Sequence, residues 1–508
     1  MSTRTKLILF SVVFTWLFYR MCCHYYPSLL SMGPSLIHAW AQGDRYSLAL
    51  NFYDHGMDFF HPRTSNIHST DGITGVEFPI QAYLAAICGH LFGRENISIS
   101  FRLITVAISF AGLYALFLAV YKRTSDVIAA VTIPAIIFSA PVFIYYTCNY
   151  LPDTAGTSLA FIAIYFILKY HEEESPKSYY IALAFLMFGA LIKTTIAVYL
   201  LGFIGFVFLS RLSGNGKKTL KNTAGFVLMS TLFVLPVVAY YFYNQYLNNT
   251  YHSHIFMSKP APFQNMQQFR EYVDLHFKTR WMYDYLAVPD YMAAATMIAA
   301  GFVLAWKMPQ GKRQLSLFFI FLGGSAAMFY LLGAQLLIHD YYIIAIAFPP
   351  LAYGLIISLL AIRKNVHGIA VAALRASLLA AIYLSFIFGF HQHGKRFNDS
   401  TDLYRWSLNG KALLDELHIG RDEPIFLVNE FPSNLPLAYF DRRGNTFYYD
   451  KWDGNMHYPT YLMRQSGIRI AVMRTQSHDY ILAHFPETLE GFEHLLTKDE
   501  LVVYRLKD

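Results

Sequence analysis

The sequence predicts a polytopic α-helical membrane protein with a small C-terminal α/β domain outside the membrane, and three observations carry that expectation. Hydrophobic residues make up 55% of the 508 and charged residues only 14%, an imbalance that a water-soluble domain could not cover with polar surface. Apolar runs long enough to span a bilayer, or nearly so, begin near Lys6, Arg102, Val127, Thr154, Tyr179, Ile196, Thr223, Tyr291, Leu315, Ile343 and Ile369. They predict about eleven transmembrane helices. After about His391 the hydrophobicity falls, and PIFLV, IRIAVM and LVVYRL alternate with helix-like stretches such as Leu403 to Leu417. The chain therefore divides into a transmembrane part, 1–391, and an extracytoplasmic α/β part, 392–508, read as a lid or docking module.

The first run, Lys6 to about Tyr26, is long for a signal peptide and lacks a small-residue cleavage site, so it reads as a retained anchor. Loop cations gather at Lys122-Arg123, Lys169 to Lys177, Arg211 to Lys221, Lys307 to Arg313 and Arg363-Lys364, on alternate sides of the count. The positive-inside rule turns those loops and the N-terminus toward the cytoplasm. The connections Pro27 to Ser100, Cys148 to Asp153, Asn244 to Asp290 and His339 to Tyr342 then face outward, as does the C-terminal part. The run Phe78 to Phe92 is too short to count as a span without inverting the charge rule, so it is laid on the membrane surface. A mixed-polarity stretch from Ile37 to about His55 suits a second interfacial helix in the same outer loop.

Several function classes are excluded. The net charge of +7 is dispersed over short loops with no continuous basic face, so nucleic acid is not an expected partner. The four cysteines form no CxxC pair and imply neither a disulfide framework nor a zinc site. Aromatic residues, 17% of the chain, fit contact with membrane lipids and with ring-shaped ligands.

The informative stretch is Trp40 to Arg63, WAQGDRYSLALNFYDHGMDFFHPR. Asp44 is its leading catalytic candidate, because a partly desolvated carboxylate can act as a base toward a hydroxyl or amine. Pairing with Arg45 or helix capping would equally explain it. Asp153, after Pro152, reads as an ordinary helix start, yet it shares the outer side with Asp44 and Glu77. Three outward acids could hold a divalent cation, although no local spacing resembles a calcium loop. Arg63, Arg102, Lys193 and His339 are the outward cationic candidates, and His339-Asp340-Tyr341-Tyr342 is denser in functional groups than a turn requires. Snorkelling from helix ends is the ordinary explanation for Arg102 and Lys193, and an interfacial belt for the tyrosines.

The order of these features resembles the GT-C superfamily of polyprenyl-phosphate-sugar transferases, especially members similar to protein O-mannosyltransferases and to the enzymes that add aminoarabinose to lipid A. The resemblance covers about Lys6 to Phe390 and is strongest over Trp40 to Asp153. Asp44 looks like the acid of the family's first interfacial helix, Phe60-His61-Pro62-Arg63 like its Pro-Arg segment, and Glu77-Phe78-Pro79-Ile80 like its Lys-Pro-Pro-Leu segment. Arg102 is similar to the Arg that opens the next span, Pro152-Asp153 to a second acidic position, Lys193 to the Lys of Thr-Lys-Gly-Pro, and His339 to Tyr342 to an outer turn before a Pro-rich helix. Two positions depart: the usual second acid is Arg45, and the Lys expected before the Pro, a donor-phosphate contact in lipid A modifying relatives, is Glu77.

The resemblance implies transfer of a sugar from a polyprenyl-phosphate donor to a lipid, glycan or protein acceptor at the outer face of a bacterial inner membrane, with inversion. Asp44 and Asp153 are then the catalytic candidates. Arg63, Glu77, Arg102, Lys193, His339, Asp340 and Tyr342 are the candidates for donor phosphate or substrate binding, and a divalent metal stays open as cofactor. A transporter or lipid flippase and a catalytically inactive scaffold are the alternatives. Transport ranks below transfer because the acids cluster at one edge and no internal repeat is visible.

Overall fold

In the computed structural model, residues 3–212, 217–256, 260–308, 310–397, 404–428, 430, 434–447 and 458–507 are described. The chain opens with α1 (Thr3–Phe18), α2 (Ala39–Asp54), α3 (Ile80–Phe92), α4 (Ile97–Thr124), α5 (Val127–Ser139) and α6 (Pro141–Thr147). Then come α7 (Asp153–Glu173), α8 (Pro176–Ile192), α9 (Ala197–Leu212), α10 (Lys217–Thr250), α11 (Met266–His276), α12 (Val288–Trp306) and α13 (Gly311–Leu332). The short α14 (Gln335–Ile338) precedes α15 (Tyr342–Asn365) and α16 (Ile369–Gly394). Beyond them lie α17 (Gly410–Glu416), β1 (Ile425–Val428), α18 (Asn434–Phe440), β2 (Gly444–Phe447), α19 (Tyr458–Ser466), β3 (Ile470–Arg474), α20 (Thr475–His484), β4 (Phe492–Lys498) and β5 (Leu501–Leu506).

Internal contacts divide the chain into two units, one of residues 1–30, 102–242 and 258–397, the other of 31–101, 243–257 and 398–508. In the first, every expected span start falls on a helix. Among the described residues eight helical segments, from Arg4–Cys23 to Ile369–Phe397, are long and apolar enough to cross a membrane, and the pair α5 and α6, bent by 81°, can make a ninth. The remaining two expected spans are α7, whose C-terminal end carries Glu172 and Glu173, and α8, which has 17 residues. The protein is an integral, multi-pass membrane protein. The span over α15 is 83% buried inside the protein, so the other helices pack around it.

Small residues set how closely these helices approach, as expected where apolar lipid gives helix association little hydrophobic drive. A Cβ on Gly301 of α12 would lie 2.3 Å from the Cα of Ser358 on α15. Gly156 of α7 and Gly189 of α8 face each other, so that a Cβ on Gly189 would sit 3.1 Å from the Gly156 carbonyl oxygen and one on Gly156 would sit 2.8 Å from the Lys193 Cβ. That approach draws the C-terminal end of α8 against the first turn of α7.

The second unit holds a five-stranded sheet in the order β2-β1-β3-β5-β4. β1 runs parallel to β2 and β3, while β5 is antiparallel to β3 and β4. Both faces of β1 are covered: Ile425 and Leu427 belong to one core cluster, Phe426 and Val428 to another. Such a strand reads as an unbroken apolar run because side chains alternate between two buried faces. β1, β3 and β5 correspond to PIFLV, IRIAVM and LVVYRL. β2 (GNTF) and β4 (FEHLLTK) carry polar residues on partly exposed edges and are not apolar runs. The expected helix over Leu403 to Leu417 is a 3-10 turn, Arg405–Ser407, followed by α17, and Leu403 lies outside the described residues.

This unit is not built from the C-terminal segment alone. The loop between α2 and α3 closes the sheet edge, with the Gly444 N–H donating to the Ser65 carbonyl and the Ile67 N–H to the Gly444 carbonyl, both at 2.9 Å. α18 lies on α2 so closely that a Cβ on Gly43 would meet the Leu435 Cβ at 2.6 Å.

Replacing Gly301 by Val should cost about 1–3 kcal/mol, because a backbone atom blocks the new side chain. Gly205→Ala, where a Cβ meets nothing within 4 Å, should be neutral or slightly stabilising. Unfolding of the purified variants in mixed detergent micelles measures both.

Candidate active-site residues

Asp44 sits in the first turns of α2, a helix covered on more than one side, and is 9% exposed. Its Oδ1 accepts a 2.8 Å hydrogen bond from Nδ2 of Asn434, a residue 390 positions further along the chain. Burial pushes its carboxyl up to about 6, against the opposing effects of the Asn434 hydrogen bond and of nearby Arg45.

Arg45 donates to the Glu77 carboxylate, and its guanidinium lies 4.7 Å from the centroid of the Phe256 ring. The two departures from the family pattern are therefore one ion pair, with the cation on α2 and the acid before α3. Arg63 is committed elsewhere: its Nε donates to Asp71 at 2.8 Å, and Arg443 donates to the same carboxylate at 3.0 Å.

The same unit contains a second buried acid, Glu430, next after β1 but one residue. Burial pushes it up to about 7, with Arg474 opposing from 4.0 Å. Tyr404 feels both Glu430 and Asp44, and burial first, then those two charges, raise its hydroxyl. Sequence reasoning missed both residues, although an acid just past the carboxyl end of a buried strand was a usable signal. A cavity of about 300 Å³ opens at the far end of α2, between Asp54, Arg94, Arg421, Asp441 and Arg443. Asp54, Arg94, Arg421 and Asp441 are paired with one another, and Arg443 with Asp71. Burial alone would raise the Asp54 carboxyl, but hydrogen bonds from Arg94 and Arg421 hold it below its ordinary value.

In the first unit, Asp153 is 0% exposed and Lys193 4%. The ammonium lies 2.9 Å from the carboxylate and 4.3 Å from the Tyr342 ring centroid, with Tyr341 at 5.6 Å. Asp153 does stand in the first turn of α7, where a negative charge is favoured, but its partner is a lysine brought in by the Gly156 and Gly189 contact. Asp340 accepts from the Tyr146 hydroxyl at 2.7 Å and from Arg396 at 2.9 Å. His339 Nδ1 is 3.1 Å from the Tyr341 hydroxyl. Asp153, Lys193, Tyr341, Tyr342, His339 and Asp340 thus form one continuous polar stretch, buried at Asp153, Lys193, Asp340 and Tyr341.

Arg102 and Lys193 do not snorkel. Arg102 is 1% exposed, donates to the Cys148 carbonyl and lies 4.5 Å from the Tyr150 ring centroid. Arg396, which sequence reasoning did not single out, is 3% exposed, and its Nε and Nη1 make no hydrogen bond among the described residues. Buried guanidiniums on an aromatic floor are suited to an anionic oxygen ligand.

Asp44, Glu77 and Asp153 are the acids suggested for a divalent cation, the first two in one unit and Asp153 in the other. No three His, Cys, Asp or Glu side chains among the described residues form a group that could hold a metal ion. Glu77 is spent on Arg45 and Asp153 on Lys193, so these residues do not fit a metal.

A family model described as dolichyl-phosphate-mannose-protein mannosyltransferase matches residues 76–242. No curated protein matches the chain. Among solved structures, the chain is similar to ArnT from Cupriavidus metallidurans, with a TM-score of 0.63 and 12% identity over 99% of this chain and 98% of that one. It is also similar to the oligosaccharyltransferase of Archaeoglobus fulgidus, TM-score 0.59, 14% identity, over 98% of this chain and 73% of that one. A third likeness is to the arabinofuranosyltransferase AftD from Mycobacteria, TM-score 0.57, 12% identity, over 100% of this chain and 40% of that one. The chain has the fold of the GT-C membrane glycosyltransferases. The family match over 76–242 is to an enzyme of the same kind, and the transporter alternative gains nothing from it.

Removing either partner of the Asp153 and Lys193 pair strands a buried charge and should cost about 3–5 kcal/mol, whereas removing both together should cost much less. A double-mutant cycle of Asp153→Asn and Lys193→Met, read by unfolding in detergent, measures the coupling.

Proposed function

We propose that this protein is a polyprenyl-phosphate-dependent glycosyltransferase that glycosylates a lipid, glycan or protein acceptor at the outer face of a bacterial inner membrane. Its N-terminus is cytoplasmic and its C-terminal segment extracytoplasmic. The observation that carries the reading is the state of Asp44: a buried carboxylate, poised at about 6, in a chain with the GT-C fold. The ArnT structure that contains undecaprenyl phosphate, TM-score 0.63 and 11% identity, supports the choice of donor carrier.

In the reaction, an acceptor oxygen or nitrogen attacks the anomeric carbon and gives its proton to Asp44. The bond from that carbon to the phosphate oxygen breaks, and the electron pair leaves with the polyprenyl phosphate, so the anomeric configuration inverts. Negative charge grows on the departing phosphate, and hydrogen-bond donors held in place before the reaction stabilise it at little reorganisation cost. We assign that role to Arg102, Lys193, His339 and Arg396, with Asp153, Asp340 and Tyr342 holding the cations in position. Glu77 and Arg63 act through their ion partners, Arg45 and Asp71, in shaping the loop around Asp44.

The base works only when ionised, so transfer should fall as pH drops through about 6 and be full above it. Asp44→Asn should lower the rate by about 10²–10⁴-fold without lowering the unfolding temperature, since it removes a buried charge. The assay is release of polyprenyl phosphate from a panel of polyprenyl-phosphate sugars by the purified protein. Mass spectrometry of envelope glycolipids and glycoproteins with and without the protein names the sugar and acceptor. Normal turnover by Asp44→Asn would remove Asp44 from the mechanism.

A further inference from the structure

We infer that Asn434 is a positioning residue for the base: its carboxamide orients the Asp44 carboxylate and keeps it ionised, which makes the C-terminal segment part of the catalytic apparatus. The inference rests on Asp44 being the base. The argument begins with the direction of two hydrogen bonds. Asn434 Oδ1 accepts from the backbone N–H of Asn66 at 2.9 Å. A backbone N–H can only donate, so the carbonyl side of the carboxamide must face Asn66 and the amino side must face away from it. The amino side lies 2.8 Å from Asp44 Oδ1. An amide nitrogen can only donate, so Asp44 must accept. The polarity of the whole chain, from Asn66 N–H through Asn434 to Asp44, is thereby set by one main-chain group.

Burial removes the competing solution. Asn434 is 0% exposed and Asn66 5%, so neither relies on bulk water. The register is locked next door, because Leu435 fills the space over Gly43 while Asn434 meets Asp44. Tyr439, one turn further along α18, donates to the Pro34 carbonyl, which ties α18 to the segment leading into α2. The hydrogen bond occupies Oδ1 and leaves Oδ2 outside it to receive the proton.

The other charged or titratable groups that interact with Asp44 are Arg45, beside it on α2 with Glu77 as its partner, and Tyr404, ahead of α17, which also interacts with Glu430. Arg45 and Asn434 favour the ionised form. Removing the Asn434 donor takes away the larger of these two effects that oppose burial.

The test uses the full-length protein in detergent and the polyprenyl-phosphate sugar that the wild type turns over. Asn434→Ala should move the acid limb of kcat upward by about one pH unit, the scale of one hydrogen bond to a charged group. Activity should fall about fivefold at pH 6 and recover at pH 8, with KM little changed. Asn434→Asp, nearly isosteric and able to accept from Asn66, sets a second carboxylate against Asp44 and should move the limb at least as far. Leu435→Ala should lower stability and leave the limb in place. A loss that is equal at every pH in both Asn434 variants, or a limb that does not move, overturns the positioning role. Unimpaired transfer by Asp44→Asn overturns the underlying base assignment instead, so the two failures are told apart.

Discussion

A charge taken out of water must find a partner or give up its charge, and this requirement organises the functional groups of both units. Lys193 is drawn into the interior by helices that touch through glycine, and Asp153 and two tyrosine rings receive it there. Arg396 meets Asp340, and Asp340 also takes the Tyr146 hydroxyl. Arg102 has a carbonyl and an aromatic face. Each cation is held rigidly by its neighbours, which is what a binding site for a developing anion requires.

Asp44 departs from that pattern, and the departure distinguishes it. Asp153 and Asp340 face cations directly, while Asp44 is hydrogen-bonded to a neutral carboxamide, and the adjacent Arg45 spends its guanidinium on Glu77. A neutral donor orients a carboxylate without lowering its proton affinity as far as an ion pair does. The exchange of charge at positions 45 and 77 therefore keeps the local balance intact.

The membrane class, the helix starts and the three apolar strands were legible because hydropathy and periodicity report burial directly. Asp44, Asp153 and Lys193 could be singled out as unusual groups near the ends of apolar runs. What they pair with could not be read. The 2.8 Å contact between Asp44 and Asn434 joins residues 390 positions apart, and SNLPLAYF looks like any capped helix start. Arg396 in its basic setting has the appearance of an interfacial cation, yet it is 3% exposed. β2 escaped notice because its pairing is to β1 on one side and to loop residues near Asn66 on the other, not because of its own composition.

The sheet edge closed by Ser65, Asn66 and Ile67 has a consequence for biogenesis. The loop of residues 31–101 leaves the ribosome hundreds of residues before β2 and α18 exist. Until then its backbone groups at Ser65 and Ile67, and the side chain of Asp44, have only water to satisfy them. Contacts of such sequence separation form late, since closing a long loop costs entropy before any contact returns it. The helices around α15 can assemble first, and the loop of residues 31–101 takes its final shape last, when the C-terminal strands arrive to complete it.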